Sequence, residues 1–225
     1  RTIAENDDWG TQTTLDASYP VGTPAAIATA GGTSAATGSR DAALLVDLPP
    51  GTYSANVTSS DGSTGTALVE AYEVTSAGTR ITALSTRGYS ATGTPMIAGF
   101  IVSGTTGTTK RIVIRGQGPS MTGVNGAMND PYLELYNGTS DLVMVNDDWA
   151  AQNTTFSSPD TQPLAVYYGE LQIKAAGMAP ANRREPCIMV DLAPGMYTAI
   201  LKPYQVSSTV AGSPGVALIE VYEVQ

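Results

Sequence analysis

Apolar and polar residues alternate along many short stretches of this chain, which is the pattern of half-buried β-strands. In the stretch 216–224, the odd positions Ala217, Ile219 and Val221 are all apolar, whereas the even positions include Glu220. We therefore expect the odd positions to face the protein core. Seven further stretches are rich in β-branched or aromatic residues and are bounded by Gly, Pro, Asn or Ser. They are 81–89, 96–102, 110–117, 132–137, 142–146, 187–192 and 196–202.

Turn signals separate these predicted strands. Residues 137–138 (Asn-Gly) form a strong hairpin signal between two of them. Pro-Gly pairs at 50–51 and 194–195 also lie between strands, where we expect each glycine to take a positive φ. Because strands do not alternate with helical patterns, a parallel α/β sheet is not expected. The pattern predicts an all-β fold of antiparallel β-sandwich modules, jelly-roll or immunoglobulin-like in type.

The chain also contains an internal repeat, in which three blocks recur in the same order. Their spacing differs only by insertions between the predicted strands, so we interpret the two stretches as copies of one structural unit. The pairs of blocks are 6–9 with 146–149 (both Asn-Asp-Asp-Trp), 46–53 with 190–197 (both Val-Asp-Leu-x-Pro-Gly-x-Tyr), and 65–74 with 215–224 (both Gly-x-Ala-Leu-x-Glu-x-Tyr-Glu-Val).

The two copies are unequal in length. The first copy, residues 1–75, has no counterpart of the strands predicted between residues 81 and 137. We therefore expect tandem modules, the first truncated at its N-terminus and the second, residues 76–225, complete. Half a sandwich exposes an apolar face and unpaired edges, so we expect another segment or subunit to complete the first module. Residues 1–3 (Arg-Thr-Ile) do not resemble a translation start, and we expect a processed or excised chain.

Composition narrows the range of partners. With 11 Lys and Arg against 20 Asp and Glu, the net charge is −9. Nucleic acid is not an expected partner, because binding to phosphates needs clustered cations. No apolar run approaches the roughly 18 residues of a membrane span, so we expect none. The acidic surface fits an extracellular or cell-surface protein, or one that holds divalent cations.

Catalytic chemistry is not expected, because the chain has no histidine to act as a base. Cys187, the single cysteine, lies in a predicted buried strand and is expected to be an inert core thiol. Glu70 and Glu220 occupy the same position in the two copies, which is what a structural role predicts. We therefore expect a protein that is not an enzyme.

The repeated Asn-Asp-Asp-Trp block supports two interpretations. In one, its oxygen atoms bind Ca²⁺, which takes six to eight oxygen ligands. In the other, Asn and Asp form a turn by bonding backbone N–H groups, while Trp9 or Trp149 closes the end of the sandwich. Calcium is accordingly the cofactor that the sequence suggests. Its candidate ligands are Asn6, Asp7, Asp8, Asn146, Asp147 and Asp148.

Several motifs together resemble the bacterial pre-peptidase C-terminal domains and the tandem repeats of large bacterial surface proteins. The resemblance implies calcium-tolerant β-sandwich modules that accompany secreted enzymes or build surface proteins. The motifs are 133–138 (Leu-Glu-Leu-Tyr-Asn-Gly), 146–149, 192–197 (Leu-Ala-Pro-Gly-Met-Tyr), 215–224, 84–88 (Leu-Ser-Thr-Arg-Gly), 98–102 (Ala-Gly-Phe-Ile-Val), 111–115 (Arg-Ile-Val-Ile-Arg) and 118–120 (Gly-Pro-Ser).

These observations predict a non-enzymatic extracellular structural protein, a subunit or repeat unit of a surface fibre or stalk with an adhesive role. Its expected partners are further copies of itself, joined head to tail by β-strand addition, or neighbouring repeats of a longer chain. The alternative is a calcium-dependent carbohydrate- or protein-binding accessory module of a secreted enzyme. That alternative predicts an exposed aromatic platform for extracellular polysaccharide, for which Tyr167 and Tyr168 are the candidates.

Overall fold

The computed structural model describes residues 1–30, 39–74, 78–151, 154–155, 166–205 and 212–224. The chain divides into two compact units, Arg1–Ile81 and Thr82–Gln225. We call them the first and second units. This division falls a few residues beyond the predicted boundary at 75–76.

Most of the second unit is built from ten strands and one short helix in its described residues. Each of the eight strands predicted there overlaps an observed strand, and the all-β class is confirmed. The elements are β3 (Ala83–Ser90), β4 (Met96–Val102), β5 (Lys110–Gln117), β6 (Pro131–Asn137), β7 (Leu142–Asn146), β8 (Thr154–Thr155), β9 (Val166–Tyr168), α2 (Glu170–Ala175), β10 (Cys187–Leu192), β11 (Gly195–Pro203) and β12 (Gly215–Val224).

The ten strands form two antiparallel five-stranded sheets, in the orders β3-β12-β5-β10-β9 and β4-β11-β6-β7-β8. One apolar cluster combines side chains from both sheets, including Ile114 and Ile188 from the first and Leu135 and Leu201 from the second. All four are fully buried. Burying a Leu or Ile side chain contributes about 1.5–3 kcal/mol, so this cluster is the main apolar core that holds the unit together.

Strand β12 faces this core as its sequence predicts. Ala217 and Ile219 are buried in the apolar cluster, and Val221 packs against it. Glu220 lies on the other side of the strand and forms an ion pair with Arg115, whose Nη2 is 2.7 Å from the carboxylate. This pairing agrees with the structural role expected for Glu220.

A second apolar cluster covers the opposite side of the β5–β10 sheet. Cys187 and Met189 of β10 alternate with the core-facing residues and pack against Trp149 and against Ile173 of α2. Cys187 is a free, buried thiol, and burial raises its pKa to about 12. The thiol is therefore protonated at neutral pH, which agrees with the predicted inert core role.

The first unit contains little regular structure within its described residues. Strands β1 (Ala4–Glu5) and β2 (Thr13–Thr14) form an antiparallel pair. The helix α1 (Pro24–Thr29) begins after Thr23, whose hydroxyl accepts a hydrogen bond from the Ala26 N–H at 3.2 Å. No strand is assigned between residues 47 and 74. Neither helix of the described chain is long and apolar enough to cross a membrane.

The turns differ in detail from their sequence-based prediction. Strands β6 and β7 form the expected hairpin, but Ser140 rather than Gly138 carries the positive φ, of 66°. Gly195 and its counterpart Gly51 do not have positive φ, contrary to our prediction. The Tyr197 hydroxyl instead donates a hydrogen bond to the Ala193 carbonyl at 3.0 Å. The aromatic ring folds back over the turn, where a Cβ at Gly195 would lie 3.6 Å from it.

Candidate functional site

The second Asn-Asp-Asp-Trp block forms a turn at the end of β7, and this turn is hydrogen-bonded to the start of β10. Asn146 Oδ1 accepts a hydrogen bond from the Cys187 N–H at 2.8 Å, and its Nδ2 donates to the Asp148 carbonyl at 3.2 Å. The Trp149 N–H donates to the Glu185 carbonyl at 3.0 Å. One asparagine side chain therefore satisfies two backbone groups, as the turn interpretation requires.

The first block makes the same contacts in the first unit. Asn6 Oδ1 accepts from the Ala43 N–H at 2.8 Å, and Asn6 Nδ2 donates to the Asp8 carbonyl at 2.9 Å. The Trp9 N–H donates to the Asp41 carbonyl at 2.9 Å. Ala43 and Asp41 occupy the same positions in the first copy as Cys187 and Glu185 in the second. The repeat is therefore reproduced in hydrogen bonds as well as in sequence.

The acidic residues of the second block lie beside Asp130. Burial raises the pKa of Asp147 to about 7, and the nearby carboxylates of Asp130 and Asp148 contribute to the increase. Asp147 Oδ1 is buried and has no hydrogen-bond partner. Across the described residues, however, no group of three or more acidic, histidine or cysteine side chains is placed to hold a metal ion. The calcium assignment gains no support from this geometry and stays a prediction.

Trp149 packs against the sheet rather than lying in solvent. It is buried in the cluster that contains Ile173, and the Lys174 ammonium lies 5.4 Å from the centroid of its ring. The indole Nε1 is buried without a hydrogen-bond partner. The tryptophan of the motif therefore has a packing role, which the turn interpretation predicts, although it covers a sheet face beneath α2.

Tyr167 and Tyr168 do not form a shared aromatic platform. They are adjacent in β9, and adjacent residues of a strand point to opposite sides of a sheet. Tyr167 is 44% exposed. Tyr168 lies beneath the Arg111 guanidinium, at 4.3 Å from ring centroid to Cζ, and donates a hydrogen bond to Asp191 at 2.6 Å. Of these two rings, that of Tyr167 is the exposed one, whereas that of Tyr168 is held by Arg111 and Asp191.

Tyr168 nevertheless lines a surface recess. The recess is open, has a volume of about 360 Å³, and lies between α2 and the β5–β10 sheet. Arg111 at its wall is held by Asp191, with Nε 2.9 Å from the carboxylate. Its lining therefore combines a cation, a phenol ring and apolar surface: Arg111, Tyr168, Gln172, Ala175, Ala176, Met189 and Val224.

A second arginine on the same sheet, Arg115, binds side chains of β12 and the Met178 carbonyl, to which its Nη1 donates at 3.3 Å. Arg115 Nε donates to Glu220 at 2.9 Å and Arg115 Nη2 donates to the Tyr222 hydroxyl at 3.0 Å. Gln117 also donates to Glu220, at 2.7 Å. The four polar side chains link β5 to β12, so they act as a cross-strand support.

Sequence reasoning missed the most deeply buried acidic residue. Glu185 is fully buried, and its Oε1 accepts hydrogen bonds from the N–H groups of Gly118 and Ser120, both at 2.9 Å, and from the Ser120 hydroxyl at 2.6 Å. The available signal was the Gly-Pro-Ser turn at 118–120, whose free N–H groups need an acceptor when the turn is buried.

Comparison with protein-family models, curated proteins and solved structures finds no match. The likeness to the pre-peptidase C-terminal domains therefore stays a prediction from the sequence motifs.

Proposed function

We propose that this chain is a non-enzymatic structural segment of an extracellular fibre or stalk, built from tandem β-sandwich modules. It is exposed at the cell surface and has an adhesive role. Its neighbours are further modules of the same design.

This proposal rests on the hydrogen bonds that recur in the two copies. In both, an asparagine fixes the turn before a core strand, through Asn6 to Ala43 and through Asn146 to Cys187. In both, a tyrosine hydroxyl closes the following turn, from Tyr53 to the Pro49 carbonyl at 2.8 Å and from Tyr197 to the Ala193 carbonyl. The duplicated contacts support the framework, as expected for a repeated building block.

The polar side chains of the second unit support the same proposal. Arg115 and Glu220 join β5 to β12, Lys202 and Glu134 join β11 to β6, and Arg111 joins β5 to Asp191 of β10. Such cross-strand pairs contribute roughly 0.2–1 kcal/mol each. Charges used in this way stabilise the pairing of strands, which suits a structural module.

Immunogold electron microscopy tests this proposal. An antibody raised against the chain is applied to intact cells that encode it, with permeabilised cells as the control for internal protein. We expect label along surface fibres or stalks of intact cells. Label that appears only after permeabilisation would contradict the proposal.

The recess beside Tyr168 favours a second candidate, an accessory module that binds polysaccharide or protein. Its lining combines Arg111, Tyr168 and Gln172 with apolar side chains such as Met189, and ligand sites likewise combine polar groups with apolar surface. A glycan array distinguishes this candidate. Binding that disappears in Gln172→Ala at the recess but persists in Tyr167→Ala would support it, and an array without binding would oppose it.

A further inference from the structure

Three segments of the first unit expose the side chains that their counterparts in the second unit bury. Leu48 is 40% exposed and its counterpart Leu192 is 2% exposed. The larger differences are in the two segments that follow: Val57 is 61% and Leu201 0% exposed, and Val69 is 51% and Ile219 1% exposed. Two of these three positions, Leu48 and Val69, lie in blocks that recur in both copies, so we attribute the difference in exposure to what covers these residues.

In the second unit, the covering strands are β3, β4, β5 and β6. Strand β10 pairs with β5, β11 lies between β4 and β6, and β12 lies between β3 and β5. In the first copy, the segments equivalent to β10, β11 and β12 are 43–48, 51–59 and 65–74. Every one of these segments therefore needs at least one neighbour of the β3–β6 type to form its sheet.

We propose that residues 43–74 dock a polypeptide segment with the strand pattern of residues 83–137. The segment contributes four strands that pair with the first unit as β3–β6 pair with β10–β12. This inference rests on the proposed function, because it names the partner of a module within a tandem array.

A second copy of this chain is not the occupant. In the second unit, both edges of β5 are paired, with β12 and β10, and both edges of β6 are paired, with β11 and β7. These two strands have no edge left for residues 43–74 of another molecule. We therefore propose a distinct segment of the same design as the occupant, and the predicted head-to-tail association of identical chains is the competing outcome of the test below.

Charge complementarity supports the same occupant. Asp191 and Glu220 of the second unit each bind an arginine of β5, Arg111 and Arg115 respectively. Asp47 and Glu70 occupy the same positions in the first copy. The docked segment is thus expected to carry cations four residues apart on its central strand, between core-facing aliphatic residues.

The test extends the full chain. A second copy of residues 76–140 is placed directly before Arg1, so that Arg1 takes the position that follows residue 140 in the second copy. Hydrogen exchange of the amides in residues 43–74 is compared between the extended and the original chain. We expect exchange to slow by about 100-fold or more in the extended chain, because sheet pairing protects amides from solvent.

Two matched variants of the extended chain control the result. The first variant carries Ile114→Asp and Leu135→Asp in the added copy only. It places charges at buried positions, and we expect it to abolish the protection of residues 43–74 from hydrogen exchange. Ile97→Asp with Ile101→Asp, also only in the added copy, alters positions that are 62% and 71% exposed and is expected to retain it.

Rapid exchange of residues 43–74 in the extended chain, with the second unit still protected, would overturn the proposal. Slow exchange in the original chain, accompanied by a dimeric mass, would also overturn it, because a second copy would then be the occupant. Hydrogen exchange tests the docking of the segment, whereas immunogold labelling tests the proposed function. The failure of one can therefore be distinguished from the failure of the other.

Discussion

Asn146 connects two parts of the second unit with a single side chain, and this makes it the clearest target for substitution. Asn146→Ala removes the acceptor for the buried Cys187 N–H. Leaving a buried donor unsatisfied costs about 1–3 kcal/mol, and we expect the free energy of unfolding of the second unit to fall by that amount. Hydrogen exchange of the slowest β5 and β10 amides in the full chain measures it.

Asn146→Asp is a second test of this prediction. It keeps an oxygen that accepts the Cys187 N–H, but its other oxygen replaces the amide that donates to the Asp148 carbonyl at 3.2 Å, and it adds a negative charge at a buried position. We expect a loss at least as large as for alanine, and the alanine variant is expected to lose the same amount with calcium and with EGTA. A loss in Asn146→Ala that appears only in calcium would show that Asn146 is a cation ligand and would contradict the turn assignment.

We expect Asp147 to make the stability of the second unit fall as pH rises, which is the opposite of the usual effect of a carboxyl group. Burial, with Asp130 and Asp148 nearby, raises its pKa to about 7 in the folded state, against about 3.9 in an unfolded chain. Arg184 is the cation that faces Asp130. Because the folded state holds the proton more tightly, this stabilisation is complete below about pH 4 and is lost as pH rises through about 7.

We therefore expect Asp147→Asn to flatten the decline in the stability of the second unit between about pH 4 and pH 7. Asp141→Asn is the control, because hydrogen bonds from Thr139 and Asn137 lower the pKa of Asp141. Its effect is expected as pH falls below about 4. An unchanged slope in Asp147→Asn, measured by urea unfolding, would contradict the assignment.

Gly118 shows how closely β5 and its following turn approach the segment before β6. A Cβ at Gly118 would lie 2.3 Å from the Met128 carbonyl oxygen, and a backbone atom has little freedom to move away. We expect Gly118→Ala to destabilise the second unit by about 1–3 kcal/mol. Gly99→Ala in β4 is the control, since no atom lies within 4 Å of its Cβ position. Equal stability of the two variants in urea unfolding would contradict the prediction.

At the scale of elements, strands were predicted better than helices for a physical reason. Two-residue alternation is readable over five to eight positions, and β4, β5 and β7 have the predicted bounds. Helix α2 has six residues and begins without a side-chain cap, too short for a helical period to appear. Its position depends on Ile173 packing over the sheet, which is a tertiary contact.

The candidate site was recovered only in part, because its chemistry depends on contacts distant in sequence. The Asn-Asp-Asp-Trp block was identified from repetition, but the choice between turn and cation depended on the Asn146–Cys187 bond across 41 positions. Glu185 escaped notice since its partners, Gly118 and Ser120, lie 67 and 65 positions away. Tyr167 and Tyr168 were paired as a platform from adjacency, which strand alternation argues against.

At the scale of the whole molecule, the repeat predicts unequal resistance to proteolysis. Residues 47–74 have no assigned strand, whereas β3–β6 and β10–β12 are paired along their length. Cleavage requires an exposed, extended backbone. We therefore expect brief treatment with proteinase K to cut between residues 47 and 74 and to leave a fragment that contains residues 82–225 without cuts in its paired strands.

Mass spectrometry of the digest identifies the cuts, and the chain extended with residues 76–140 provides the comparison. In that chain, the same segment is expected to resist cleavage, because docked strands remove the extended backbone from the protease. Cuts in β5 or β12 as early as those in 47–74 would contradict the assignment of a stable second unit. Early cuts in 47–74 of both chains would show that the segment stays exposed even beside strands of the β3–β6 type, and that sequence repetition does not bring structural equivalence here.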